Sequence, residues 1–406
     1  MPKELSIQPE NELFDTQYFD NPYPTFVYLR KNDPVHWSDD LNSWVVTRYN
    51  DVVNGLKDPR LIVKREKVKF KALSQDQRQS VKLLEEFFSN WLLYIDPPDH
   101  IRIRGAVNRT FSPTAIEQRR VTIESIIGKQ LDAIEKDHGV DLLHDFSIPV
   151  SIKVIASTLG EKPEDYKKII EWTDDIMGFF HSRKNGYDAL KKAQKSFDDF
   201  SGHVKSVLFS PDSTEHSTDV LGALRGAIEE GTISKQEAES IYGNILFDGQ
   251  EPISNGITNG FYGLLINQEQ RELLARRPDL IALATEELLR YESPFQLACR
   301  IVGEDISYQG KTFKKGQKVY LMLASANRDP EHFQNPDDLN IERTDRQYAF
   351  GYATHFCLGA SLARATLQTA YLRTIERFPN MRLAVEKLEW QPYFSIRELK
   401  KLPVQI

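Results

Sequence analysis

The chain has 406 residues, 40% of them hydrophobic and 11% aromatic, enough for a substantial core. Its 52 basic and 59 acidic residues give a net charge of -7, which argues against a nucleic-acid-binding domain, since those are usually basic. Two cysteines, Cys299 and Cys357, cannot build a disulfide framework, and the first twenty residues hold no apolar run of secretory or membrane-spanning length. A cytoplasmic protein without a membrane anchor or a nucleic-acid partner is therefore expected.

In chain order, Asn21-Pro22-Tyr23-Pro24 is a turn opener. A short helical pattern follows over Thr25–Asn32, then an alternating, strand-like stretch over Trp37–Thr47. Between Arg60 and Asn90 lies a Lys- and Gln-rich stretch of weak periodicity, read as a partly mobile loop. Its Lys64–Lys71 run is read as a solvated face. Val121–Lys136 and Ser151–Leu159 carry apolar residues at helical spacing, and Phe180–Ala189 reads as a break between helices. Ser234 and Glu237 have capping-box spacing and open a helical pattern that runs to about Ile266, roughly 50 Å at helical rise. Asp279 opens another helix, which carries Glu286, Glu287 and Arg290. After Pro294 the segments Leu297–Val302, Ile306–Tyr308 and Gln317–Leu323 read as strands, with Cys299 a small buried strand residue. Trp390–Ile406 also reads as strand-like. The class is mainly α with a minor β region, organised as a single domain over 1–406. The β-containing parts fall at about 20–60 and 297–325.

The segment Phe350–Ala360, FGYATHFCLGA, holds Cys357 in a loop rich in glycine and aromatics that leads into a helix. A lone cysteine there is a poor disulfide candidate and a good axial ligand for an iron, because a thiolate donates electron density that favours O–O cleavage. Glycines such as Gly359 let backbone N–H groups approach the sulfur and tune it.

The order Asp96-Pro97-Pro98-Asp99-His100…Arg104, Asp248–Glu251, Glu287-x-x-Arg290, Asn327-Arg328-Asp329-Pro330, Arg343 and the Cys357 loop resembles the cytochrome P450 family in its soluble bacterial form. The resemblance runs from Asn21 to about Ile406. It implies heme b (iron protoporphyrin IX) between a long distal helix and a proximal cysteine loop and helix. In that frame Cys357 is the thiolate ligand and Phe350 shields its sulfur. His100, Arg104, Arg300 and His355 hold the heme propionates. Glu287, Arg290 and Arg343 form a structural ion-pair triad under the loop. Asn244, Phe247, Asp248, Leu93, Phe295, Leu297 and Phe394 become pocket candidates, and the loops Arg60–Leu93 and Thr173–Phe197 set specificity. The implied activity is oxygen insertion from O2 into a small to medium organic molecule of secondary metabolism. Electrons would come from a ferredoxin-type protein and its NAD(P)H-dependent reductase.

Two positions depart from the family pattern. Ala353 stands where a glycine is usual, and its methyl group fits only if the backbone is not left-handed. On the distal helix Glu251 is followed by Pro252 rather than threonine. Proline has neither hydroxyl nor N–H, and it frees the carbonyl of Asp248. Ser254 should face away, about 200° around the helix. Asn244, Asp248 and Pro252 share one face. Asp248 either bonds a neighbouring side chain and shapes the pocket, or meets a polar or NH-bearing substrate or joins Glu251 in proton transfer. The missing hydroxyl leaves open an oxidation without oxygen insertion, such as desaturation, aromatisation or aryl coupling. A heme sensor without turnover is the remaining alternative.

Overall fold

The computed structural model describes residues 13–14, 16–64, 74–75, 79, 81–136, 139–181, 187–209 and 219–406. Most of the Lys64–Lys71 run and the centre of the Phe180–Ala189 break lie outside them.

Helices dominate, as the periodicity predicts. Tyr23–Asn32 (α1) leads into the hairpin Val35–Ser38 (β1) and Ser43–Val46 (β2), then Tyr49–Lys57 (α2). Further helices are Lys82–Ser89 (α3), Asp99–Asn108 (α4), Arg120–Ile134 (α5), Ile148–Leu159 (α6), Tyr166–His181 (α7), Tyr187–Leu208 (α8) and Val220–Glu229 (α9). Lys235–Ile266 (α10) is 32 residues long. Ser234 caps it: its hydroxyl accepts from Glu237 N at 3.2 Å while the Glu237 carboxylate accepts from Ser234 N at 2.7 Å. That box satisfies two backbone donors that the first turn leaves open. The helix is assigned without interruption through Pro252.

Nearly every residue of α10 from Asn244 to Leu264 is buried or half-buried, which only a helix at the centre of the fold can be. It packs on α6 and on Ile281–Tyr291 (α11) and Ala360–Arg377 (α12). A Cβ at Gly260 would collide with the Tyr371 hydroxyl, so glycine permits the close approach of α12; that hydroxyl donates to Gly256 O at 2.6 Å. Among the described residues one helical segment, Leu142–Leu159, is apolar and long enough to cross a bilayer, and 67% of it is buried in this core.

The minor sheet is discontinuous in sequence. Its strands after the first hairpin are Leu61–Ile62 (β3), Ala298–Val302 (β5) and Lys318–Leu321 (β8), and its order is β1-β2-β8-β5-β3. Val140–Asp141 (β4) belongs to a separate small sheet near the C-terminus. Ile306–Tyr308 (β6) and Lys311–Phe313 (β7) pair with each other as an antiparallel hairpin. β2 and β8 run parallel, pairing Trp44 with Val319, and β5 and β8 antiparallel, pairing Cys299 with Tyr320. Cys299 is buried in β5. The expected C-terminal strand shrinks to Pro403–Gln405 (β10), with isolated bridges Trp390–Leu399 and Phe295–Ile396. This strand joins Arg382–Leu383 (β9) and β4 in the small sheet. Part of the C-terminal backbone bonds side chains instead, as where Asn259 Nδ2 donates to Arg397 O at 2.8 Å.

Candidate active site around Cys357

A cavity of about 1010 Å³ has α10 on one wall and the loop 349–359 on the other. Asn244, Asp248, Glu251 and Pro252 line it from the helix, and Phe350, His355, Cys357 and Gly359 from the loop. Leu93, Phe295, Leu297 and Phe394 also line it, as do His100, Arg104 and Arg300. Phe247 does not. At about 100° per residue it turns away from the Asn244–Asp248 face into an aromatic cluster, 4.9 Å from Phe200 and 6.4 Å from Trp91 by ring centroids. Its placement in the substrate pocket is corrected accordingly.

The loop is held from below by α11. Glu287 bonds Arg290 at 2.6 Å and Arg343 at 3.1 Å, all with side chains at most 7% exposed. Arg290 also donates to the carbonyls of Asn327, Pro336 and Asp338, and Glu287 accepts from Asn340 N at 2.8 Å. These bonds compensate the desolvated charges, which a buried ion pair requires. Asn327 carries the grip forward, its Oδ1 accepting from Tyr348 N at 2.8 Å. Glu286, given no role from the sequence, accepts from Gln347 at 2.8 Å and Arg364 at 2.6 Å. The Arg364 guanidinium lies 4.5 Å over the Phe350 ring. Within the loop Cys357 N donates to Phe350 O at 3.0 Å. Burial pushes the Cys357 thiol up to about 11, while the Gly359 N–H at its sulfur and Arg104 pull the other way. A metal ion would deprotonate such a thiol outright.

Beside the loop, cationic and imidazole groups converge. The His100 and His355 rings are 4.3 Å apart, with His100 and Arg104 one turn apart on α4. Burial first, then the Arg104 charge, lowers His100 to about 4. Burial, His100 and the two arginines lower His355 to about 3. His100 Nδ1 is buried with no hydrogen-bond partner, which is costly unless a bound group supplies one. Asp96 does not fill that role, because its carboxylate accepts from Val63 N and Lys64 N. A ligand bearing carboxylates fits this cluster.

On the distal wall Asn244 Oδ1 accepts from Leu92 N at 3.1 Å, and its amide nitrogen faces Asp248 Oδ2 at 3.4 Å. Burial raises Asp248 to about 6 against the lowering by Asn244. Ser254 Oγ donates to Glu251 O at 2.9 Å and does not line the cavity. Glu251 is raised well above its ordinary value, by burial and then by Glu398. Glu398, 147 residues further on, had no signal in the sequence, since only the fold brings the C-terminal segment over α10.

A cysteine loop opposite a long central helix, across a cavity with a carboxylate-seeking cluster at its side, defines a heme-thiolate architecture. A family model for cytochrome P450 matches residues 279–386. The polyketide biosynthesis cytochrome P450 PksS of Bacillus subtilis is 31% identical, covering 96% of this chain and 97% of its own. The crystal structure of CalO2 superposes with a TM-score of 0.88 at 28% identity, over 98% of each chain. P450BioI in complex with an acyl carrier protein ligated to hexadec-9Z-enoic acid gives 0.85 at 30% identity, over 97% of this chain and 100% of that one. The chain belongs to the cytochrome P450 family. It is a monooxygenase-type oxidoreductase, and the family implies a heme cofactor.

Proposed function

We propose that the chain binds heme b through Cys357 and inserts one oxygen atom of O2 into a small to medium secondary metabolite. The observation that carries this is the unpartnered, buried His100 Nδ1, grouped with Arg104, Arg300 and His355 on the cavity that Cys357 and Glu251 also line. His100, Arg104, Arg300 and His355 hold the propionates, and Gly359 donates its N–H to the sulfur. Phe350, fixed under Arg364, screens the sulfur from water. Glu287, Arg290 and Arg343 keep the loop rigid. Cavity residues drawn from Leu41 to Ile396 support reading 1–406 as one unit.

When bound, heme supplies reductive activation of dioxygen. Its electrons come from a ferredoxin-type donor and an NAD(P)H-dependent reductase, in the cytoplasm, where both cysteines stay free. On the distal side Glu251 holds a proton at its carboxyl for that chemistry. Pro252 leaves backbone room without offering a donor. Asp248 and Asn244 present a carboxylate and an amide to a hydroxyl or N–H of the substrate, while Leu93, Phe295, Leu297 and Phe394 enclose its apolar part.

A carbon monoxide difference spectrum of the reduced protein tests the ligand: a strongly red-shifted band is expected from the Cys357 thiolate, and a histidine-type band overturns it. Turnover under isotopic dioxygen tests the reaction. Full incorporation of label is expected. Product without label would instead support oxidation without oxygen insertion, which the absence of a cavity-facing hydroxyl at Pro252 and Ser254 favours.

A further inference from the structure

Pro252 has no hydroxyl and the Ser254 hydroxyl is spent on Glu251 O. Proton supply to the distal wall must then come from elsewhere. Glu251 is side-chain hydrogen-bonded to Glu398. Glu398 in turn accepts from Asn255 Nδ2 at 3.2 Å. Glu251, Asn255 and Asn259 fall at i, i+4 and i+8, one stripe of α10, and all three grip the C-terminal segment. Asn259 holds Arg397 O, and Gln391 N donates to Glu398 O at 2.8 Å. Two carboxyls in hydrogen-bond contact must hold a proton between them. Burial keeps it on Glu251, which donates to Glu398.

The two acids face different spaces. Glu251 lines the cavity, whereas Glu398, also only partly exposed, does not. On the side away from the cavity lies His144, whose side chain is 53% exposed and paired with Asp141 at 2.8 Å. Tyr393 and Asp248 are the other titratable groups facing the pair.

We propose that Glu398 is a relay residue that carries protons from solvent to Glu251 and, through it, to the cavity. This rests on Glu251 being the distal acid. Glu251 releases its proton into the cavity and becomes a carboxylate. Glu398, itself a carboxylate, takes a proton from water on the His144 side and passes it across their hydrogen bond to Glu251. One proton moves inward per passage, neither side chain is changed, and dioxygen reduction by donor electrons consumes it.

The test compares E398Q, E398D and E251Q in the heme-loaded protein. The amide introduced by E398Q preserves size and hydrogen bonding but passes no proton. Infrared difference spectra of the resting protein in H2O and D2O should show a protonated carboxyl band at neutral pH that E398Q weakens or shifts. Driven by NADPH, a ferredoxin and its reductase, dioxygen consumption by E398Q should slow about tenfold or more and show a larger solvent isotope effect, with E398D restoring most of the rate. If E398Q matches the wild type in both readouts while E251Q is slow, the relay falls and Glu251 stands as the distal acid. If E251Q also matches the wild type, both fall. Should E398Q fail to retain heme, the wild-type band decides: its absence, or a band that E398D leaves unshifted, overturns the relay.

Discussion

On the proximal wall the residues around Cys357 lie close in sequence, and the network beneath them is bonded through to its last member. Glu287 and Arg290 sit one turn apart, Arg343 is 3.1 Å from Glu287, and Asn327 passes the grip to Tyr348. The distal wall is assembled from a distance. Asn244 reaches Leu92 across 152 residues and Asn255 reaches Glu398 across 143, while the Asp248 carboxylate meets the Asn244 amide over a long 3.4 Å. Rigidity is concentrated where the ligand must not move. Adjustable polar groups are left where a substrate and protons must enter, as expected when one wall anchors a cofactor and the other does chemistry.

The largest effect should come from removing the anchor. C357H should abolish the red-shifted carbon monoxide band and the monooxygenation of any substrate found by a spin-state screen. Retention of both would break the contrast between the walls. E287Q comes next. It leaves the Arg290 and Arg343 guanidinium groups without their carboxylate at a site only 1% exposed, and leaving a buried charge unpaired costs about 3–5 kcal/mol. Urea unfolding of the heme-loaded protein should show that loss. The surface pair Arg102–Glu237, at 2.7 Å with side chains 39% and 22% exposed, should cost less than about 1 kcal/mol when broken.

The same contrast explains what the sequence revealed. The Cys357 loop, the Glu287–Arg290 spacing and the capping box at Ser234 are local patterns, so their geometry follows from helical period and loop chemistry. The helix over Lys235–Ile266 followed for the same reason, and that over Ile148–Leu159 did so except for its start, read at Ser151. Phe247 was misplaced because neighbours on a helix that is buried on every side cannot be sorted by hydrophobicity: both faces read as core. Glu398 was invisible because its role depends on tertiary contact alone. The C-terminal strand was over-read because alternation does not reveal that side chains of α10 take some of its backbone groups.

The distal wall offers a smaller effect with a definite sign. Asp248 is raised to about 6 by burial, so between about pH 4 and 6 the fold binds more protons than the unfolded chain. Its contribution is therefore full below about pH 4 and is lost as pH rises through 6. D248N should remove that slope, gaining up to about 2–3 kcal/mol at pH 7 relative to wild type and nothing near pH 4. Chemical denaturation at the two pH values checks it. No gain at pH 7 would mean that a partner offsets the Asp248 charge, and the distal wall would then resemble the proximal one.

The smallest effect probes a strained point in the anchored wall. Ala353 has φ of 58°, in the left-handed region, four residues before Cys357. Its side chain is exposed, so no packing offsets the strain, which for a residue with a Cβ is about 1–2 kcal/mol. Glycine there would relieve it, less about 0.5–1 kcal/mol for its freer unfolded chain. A353G should therefore stabilise by no more than about 1.5 kcal/mol, a shift of a few degrees at most in the melting temperature. Its carbon monoxide spectrum should be unchanged, because Phe356 N still donates to residue 353 O and Cys357 N to Phe350 O. A destabilised A353G would mean that the methyl group holds the turn in its left-handed form. The rigidity under the thiolate would then extend to a residue with no side-chain bond of its own.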